Sequence, residues 1–235
     1  MDTTDAAVVT HADYSVDAAE VYAGPARSTG EIAAARVLHT REYDAQGAID
    51  RRGEEAYDDG WMDRREWLVV ADGRKVLGTA SLIVPTDTLP TLAAFGIDPL
   101  HDPRIGHAWR ERRVVEVSAL ARDRRVASGP LVGALIYRAL WMSRARRQDH
   151  DVWLMSMSLD RLRRLAGLFP VPFELLTGVQ DHYRHASVAC ALDLRLARAA
   201  MELRSRPFLH WLDGCSDDFE LVPARRPGSC DPRPR

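Results

Sequence analysis

The residues best suited to chemistry lie in one run, Val114 to Leu131, which reads VVEVSALARDRRVASGPL. The two-residue period of a strand puts Val115, Val117, Ala119 and Ala121 on one face and Val114, Glu116, Ser118 and Leu120 on the other. A carboxylate buried among aliphatic side chains costs about 2–7 kcal/mol unless it is hydrogen-bonded or opens onto a wet site. Glu116 is therefore either a general base with a raised pKa or a structural carboxylate bridged by a neighbour such as Arg113 or Arg122. Ser118, on the same face, either holds a water for that base or is a small core hydroxyl. Directly behind them, Arg122, Arg124 and Arg125 bring positive charge. The N–H groups of Ser128, Gly129 and Leu131 would stand at the positive end of a following helix, while Pro130 has none to donate. The segment is either a receptacle for an anion or an ordinary solvated turn.

A second candidate is YDDGWMDRREW, where Asp59 and Asp63 flank Trp61. These acids either bind an ammonium group or are simply exposed. Cys190, Cys215 and Cys230 are too few and too widely spaced for a disulfide framework or a metal cluster, and the eight histidines lack an HExxH or paired Cys/His spacing. No metal is expected. No Ser-His-Asp order or nucleophilic cysteine context is evident, which points away from a covalent intermediate.

These groups need a scaffold. The chain has 235 residues, 46% of them hydrophobic and 28% charged, enough for one sizeable domain. Residues 1–28 are expected to be a disordered tail, 29–214 the domain, and 215–235 a second tail. A helix is expected from Gly30, capped by Ser28 or Thr29, and a second helix or lid over 48–59. Two strands follow around an Asp72-Gly73 turn. Then come a long proline- and glycine-rich loop over 85–106, the Glu116 strand, and a helix opened by Ser128 and Pro130. DVWLMSMS reads as a strand, LDRLRRLAGLF as a short helix closing near Gly167, VPFELLTG and HASVACALDL as strands, and RLARAAMELR as a helix, with RPFLHWL docking the end. This order fits a mixed α/β fold, a mostly antiparallel central sheet flanked by helices.

Composition narrows the function classes. Lys75 is the only lysine, so nearly all positive charge is arginine, yet 34 acids balance 32 basic residues. That balance argues against a nucleic-acid partner, and codon bias accounts for the arginine preference. No apolar run approaches the roughly 18 residues of a membrane span, and the N-terminal residues carry acids where a signal peptide needs a basic region. A cytoplasmic location is expected.

Four features in order are a hairpin ending GTASLIVP, the strand VVEVSALA, an arginine-rich turn into a Pro/Gly-started helix, and a late LTGVQDHYRHASVACALDL. With these the chain resembles the acyltransferases of the GNAT superfamily, in particular the branch of N-acyl amino acid synthases and autoinducer (acyl-homoserine lactone) synthases. The resemblance runs from about Gly30 to Trp211. Arg36 and the Arg41–Tyr43 run REY resemble the family's N-terminal arginine and acidic-aromatic pair. Ser81 stands where the family hairpin has an arginine, and Ala119 where its central strand has another.

The resemblance implies an N-acyltransferase that moves a fatty acyl group from acyl carrier protein or acyl-CoA to the amine of an amino acid or similar small metabolite. The donor is a substrate, with no tightly bound cofactor. Glu116 and Ser118 would be catalytic, and without the Ala119-position cation Glu116 would be a better base. Arg122, Arg124, Arg125, Ser128, Gly129 and Leu131 would receive the phosphopantetheine end of the donor. Arg36, Asp59, Trp61 and Asp63 would hold the acceptor. Pro130 favours a protein carrier over free CoA, and Trp61, Trp67, Leu89, Leu92, Phe95, Trp141 and Trp153 either line an acyl tunnel or are core. Two alternatives remain open: an autoinducer synthase using S-adenosylmethionine, and a catalytically silent domain that binds a carrier or partner.

Overall fold

The structure, a computed structural model, describes residues 21–47, 60–73, 75–127, 129–147, 151–168, 173–182 and 184–214. The expected helix or lid over 48–59 and the expected tail 215–235 lie outside them. The fold is mixed α/β, a mostly antiparallel sheet with flanking helices. It divides into two compact units: residues 1–82 with 119–143, and residues 83–118 with 144–235. The strand that carries Glu116 contributes its first five residues to the second unit and its last four to the first.

In the first unit, β1 (Tyr22–Pro25) pairs antiparallel with β2 (Arg65–Ala71), from Tyr22↔Ala71 to Pro25↔Leu68. Part of the expected N-terminal tail is thus an edge strand. A proline is tolerated there because an edge residue need not donate to a further strand. Helix α1 (Thr29–Asp44) starts where Ser28 Oγ accepts from Glu31 N at 3.1 Å, while Glu31 reaches back to the backbone N–H of Arg27 at 2.6 Å. This reciprocal arrangement satisfies helix-terminal donors as a capping box does. Strand β3 (Val76–Ile83) follows the expected turn, with Gly73 at φ 67° and Lys75 N donating to Asp72 Oδ1.

Ala35 and Leu38 of α1 pack with Trp67, Val69, Ala71, Val76 and Ala119 into the core of this unit. On β3, Gly78 has no room for a side chain: a Cβ there would stand 2.7 Å from Val132 Cγ1 and 2.8 Å from Ile136 Cδ1. Both belong to α4 (Gly129–Arg147), which therefore lies tight against that strand.

In the second unit, the residues expected as a long loop hold a short helix, α2 (Pro90–Phe95), and a second, α3 (Gly106–Arg110), begins at their last residue. Pro90 pre-sets the helical φ in the first turn of α2. Strand β4 (Val114–Arg122) pairs parallel with β5 (Val152–Ser158) from Val114↔Val152 to Glu116↔Leu154. Strand β5 continues antiparallel to β8 (His185–Asp193) along its whole length, Val152↔Asp193 to Ser158↔Ser187. Helix α5 (Leu159–Leu168) follows β5. The short strands β6 (Glu174–Leu175) and β7 (Gln180–His182) pair with β8. Of the expected strand over 171–178, the described residues from 173 on hold β6, and β7 comes from the residues that follow.

Asp193 closes β8 and opens α6 (Leu194–Arg204), its Oδ1 accepting from Arg195 N and Leu196 N at 2.8 and 3.0 Å. Helix α7 (Arg206–Leu212) ends the described chain, and a forked Arg198–Asp213 pair at 3.0 and 2.8 Å ties its end to α6. Arg104 anchors the segment before α3 by donating to the carbonyls of Leu175 and Leu176. Among the described residues, no helix is long and apolar enough to cross a membrane.

Candidate functional site

Glu116 is buried, 3% exposed, and its carboxylate is held by one residue of α2. The Thr91 backbone N–H donates to Oε2 at 2.9 Å and the Thr91 hydroxyl donates to Oε1 at 2.9 Å. The N-cap residue of α2, Leu89, has no side chain able to cap, so Glu116 supplies the acceptor that the first turn needs. Of the two arginines expected beside it, Arg113 donates to Asp151 at 2.9 Å and Arg122 lies over Gly129. The burial cost is offset by two hydrogen bonds to a charged acceptor, each worth about 1.5–3 kcal/mol. Glu116 also stands at the last residue pair of the β4–β5 ladder. Ser118, two residues on, is half-buried.

In the first unit, β4 carries a left-handed residue that is not glycine: Ala119 has φ 53° and is 1% exposed. A residue with a Cβ gives up roughly 1–2 kcal/mol to adopt that conformation. Ala119, where the resemblance would have an arginine, is thus a small side chain in the core of this unit. Ser81, the other such position, is fully buried and accepts from Arg65 Nη1 of the neighbouring strand at 3.0 Å.

The arginine-rich turn is built around an acid, Asp123. The Asp123 side chain is fully buried and pairs with Arg41 at 3.1 Å, Lys75 at 2.9 Å and Arg125 at 3.0 Å. The Arg125 backbone N–H adds a bond at 3.0 Å. Burial pushes this carboxyl up, but the hydrogen bonds from Arg125 and Lys75 and the charge of Arg41 outweigh it and hold the pKa well below the usual carboxylate range. A second buried acid, Glu42, pairs with Arg41 at 2.8 Å and Arg124 at 3.0 Å. Two carboxylates therefore fasten the turn to α1 and to the β2–β3 hairpin, and the cations remain 36–58% exposed above them.

Arg122, at the end of β4, is exposed, and its guanidinium occupies the space over the Gly129 Cα at the start of α4. Leu131 is half-buried in the first turn of that helix, and Ser128 lies outside the described residues. Arg36 is exposed on α1. Trp61 is half-buried with the Arg64 guanidinium 5.4 Å from its ring centroid, Asp63 is exposed in the 3₁₀ turn Met62–Arg64, and Asp59 lies outside the described residues. Arg124 and Arg125 are thus brought together with Arg41 and Lys75, while Glu116 belongs to the other unit. Thr91 and Asp123 were missed, whereas Glu42 is the acid of the Arg41–Tyr43 run already singled out. The Leu-Pro-Thr run was a usable helix-start signal for Thr91, and an acid between arginines in ARDRR was one for Asp123.

The chain's sequence matches no protein-family model and no curated protein sequence. Its fold matches solved structures. FeeM, an N-acyl amino acid synthase from uncultured soil microbes, is 20% identical, with 77% of this chain and 94% of that one covered and a TM-score of 0.59. The AHL synthase LasI is 13% identical, with 77% and 92% covered and a TM-score of 0.55. TofI, crystallised with an inhibitor and MTA, is 18% identical, with 78% and 96% covered and a TM-score of 0.52. The fold is the one that the GNAT resemblance implied.

Proposed function

We propose that the protein is an N-acyltransferase that moves a fatty acyl group from a thioester to the amine of an amino acid or similar small metabolite. The observation that carries this reading is the placement of Glu116: a buried carboxylate on β4, at the point where the β4–β5 ladder ends, in a fold shared with an N-acyl amino acid synthase. In the reaction the amine nitrogen attacks the thioester carbonyl, the C–S bond breaks, and the thiol of the carrier leaves. Glu116 takes the ammonium proton, directly or through a water held by Ser118. Arg122 and the first turn of α4 offer positive charge and backbone N–H groups to the phosphate of a carrier-bound or CoA-bound phosphopantetheine. The exposed cations over Asp123 and Glu42 favour an acidic carrier protein as the donor's bearer. Arg36, Asp59, Trp61 and Asp63 remain the proposed acceptor contacts.

One observation favours a second reading, a silent domain that binds a carrier or partner. Glu116 already serves as the cap of α2, a sufficient structural reason for its presence. Expression in a bacterium with mass-spectrometric profiling of the lipid extract separates the two. A new N-acylated amine supports the transferase. Carrier binding without a new product supports the silent domain, and a lactone formed at the expense of S-adenosylmethionine overturns the proposed acceptor.

A further inference from the structure

We infer that Thr91 is a positioning residue for Glu116, fixing the orientation of the carboxylate through its hydroxyl; the inference rests on the proposed role of Glu116 as the base. The two donors of Thr91 reach different oxygens of the same carboxylate, Oε2 from the backbone N–H and Oε1 from the hydroxyl, both at 2.9 Å. A single donor from Thr91 would fix one oxygen of the carboxylate and leave its plane to other contacts. Two donors from one residue set that plane, and with it the direction in which the remaining lone pairs can receive a proton.

Thr91 can serve this way because it is itself held. It is 1% exposed, in the first turn of a helix whose φ is pre-set by Pro90. The other end of α2 is anchored by Phe95, packed edge-on to the His182 ring of β7 with centroids 5.0 Å apart. β-Branching also limits the χ1 freedom of Thr91, so the hydroxyl has little room to wander. The backbone N–H bond survives any ordinary substitution. The hydroxyl bond does not, which makes its contribution separable.

The experiment compares Thr91→Val, Thr91→Ser and Glu116→Gln with the unaltered full chain, using acyl-carrier and acyl-CoA donors. Thr91→Val keeps the shape, the branching and the backbone N–H but removes the hydroxyl donor. It is expected to lower kcat on the order of tenfold, a part of the 10²–10⁴-fold that a general base contributes, with KM for donor and acceptor nearly unchanged. Thr91→Ser is expected to restore kcat.

An unchanged kcat in Thr91→Val, with only a lower melting temperature, would reduce Thr91 to a helix-capping role. Equal losses in the Val and Ser variants would show that the hydroxyl is not the agent. Full activity in Glu116→Gln would overturn the base reading and this inference with it. A readout independent of turnover is the carboxyl ¹³C signal of Glu116, assigned by its loss in Glu116→Gln. It is expected to be single and sharp in the unaltered and Ser proteins and broadened or split in Thr91→Val. An unchanged signal overturns the positioning role whether or not the protein transfers an acyl group.

Discussion

The guanidinium of Arg122 fills the space that a side chain at Gly129 would need: Arg122 Nη1 lies 1.5 Å from where a Cβ at position 129 would be. A cation at the N-terminus of a helix opposes the helix dipole, so its presence there is costly until an anion joins it. Under the proposed function, this pairing would be half of an anion site whose other half comes with the donor.

Gly129→Ala is expected to push the Arg122 side chain off the helix end without unfolding the protein, because the displaced atoms are the tip of a flexible, exposed side chain. The donor KM should rise on the order of tenfold with kcat little changed, as for the loss of one charge-assisted hydrogen bond to phosphate. Arg122→Ala should do the same. Steady-state kinetics that show an unchanged donor KM in both variants would refute the anion site.

Asp123 makes stability depend on pH in the acid range. Its carboxyl is held well below the usual range when folded, whereas the unfolded chain takes up the proton near pH 3.9. The unfolded state therefore binds more protons as pH falls. The contribution is complete above the unfolded value and is lost progressively below it, on the way down to the folded one. Asp123→Asn should flatten the fall in melting temperature below about pH 4. At neutral pH it should cost about 1–3 kcal/mol, limited because Arg41, Lys75 and Arg125 are partly exposed and water screens them. Parallel acid-limb curves for the two proteins would count against the network.

Gly78 is expected to tolerate nothing larger than hydrogen. Gly78→Ala would drive a methyl into Val132 and Ile136 and destabilise the protein by about 1–3 kcal/mol through overpacking. Adding Val132→Ala should recover part of that loss, and a double-mutant cycle by thermal melting measures the coupling. Strict additivity would mean that α4 yields at this contact.

Cys190 is buried in β8, its Sγ 3.6 Å from the Met155 carbonyl oxygen, and burial pushes the thiol up to about 12. Only the thiolate reacts readily. Under native conditions at pH 8 a disulfide reagent should leave Cys190 unmodified, and mass mapping of peptides reads this directly. Fast modification of Cys190 without denaturant would contradict its placement.

Much of the scaffold was legible in the sequence because its signals are local. Ser28 three residues before Glu31 opens α1, Asp72-Gly73 turns the hairpin, and Pro130 sits in the first turn of α4. Each acts through its own φ, ψ or a neighbour within four residues, so periodicity and turn chemistry are enough. The α2 helix was hidden because six residues, Pro-Thr-Leu-Ala-Ala-Phe, carry too little pattern to stand out from a proline- and glycine-rich segment.

By itself the sequence determined the alternation that buries Glu116, the cluster of arginines behind it and the order of elements that place both. Only the tertiary structure decided what each charge answers to. Glu116 is held by Thr91, 25 residues away, and Asp123 gathers cations from α1 and the hairpin as well as its own turn. An arginine reaches many acids, and a buried carboxylate accepts from any donor the packing brings within about 3 Å. Which pair forms is set by how helices and strands are stacked, and no spacing along the chain encodes that distance.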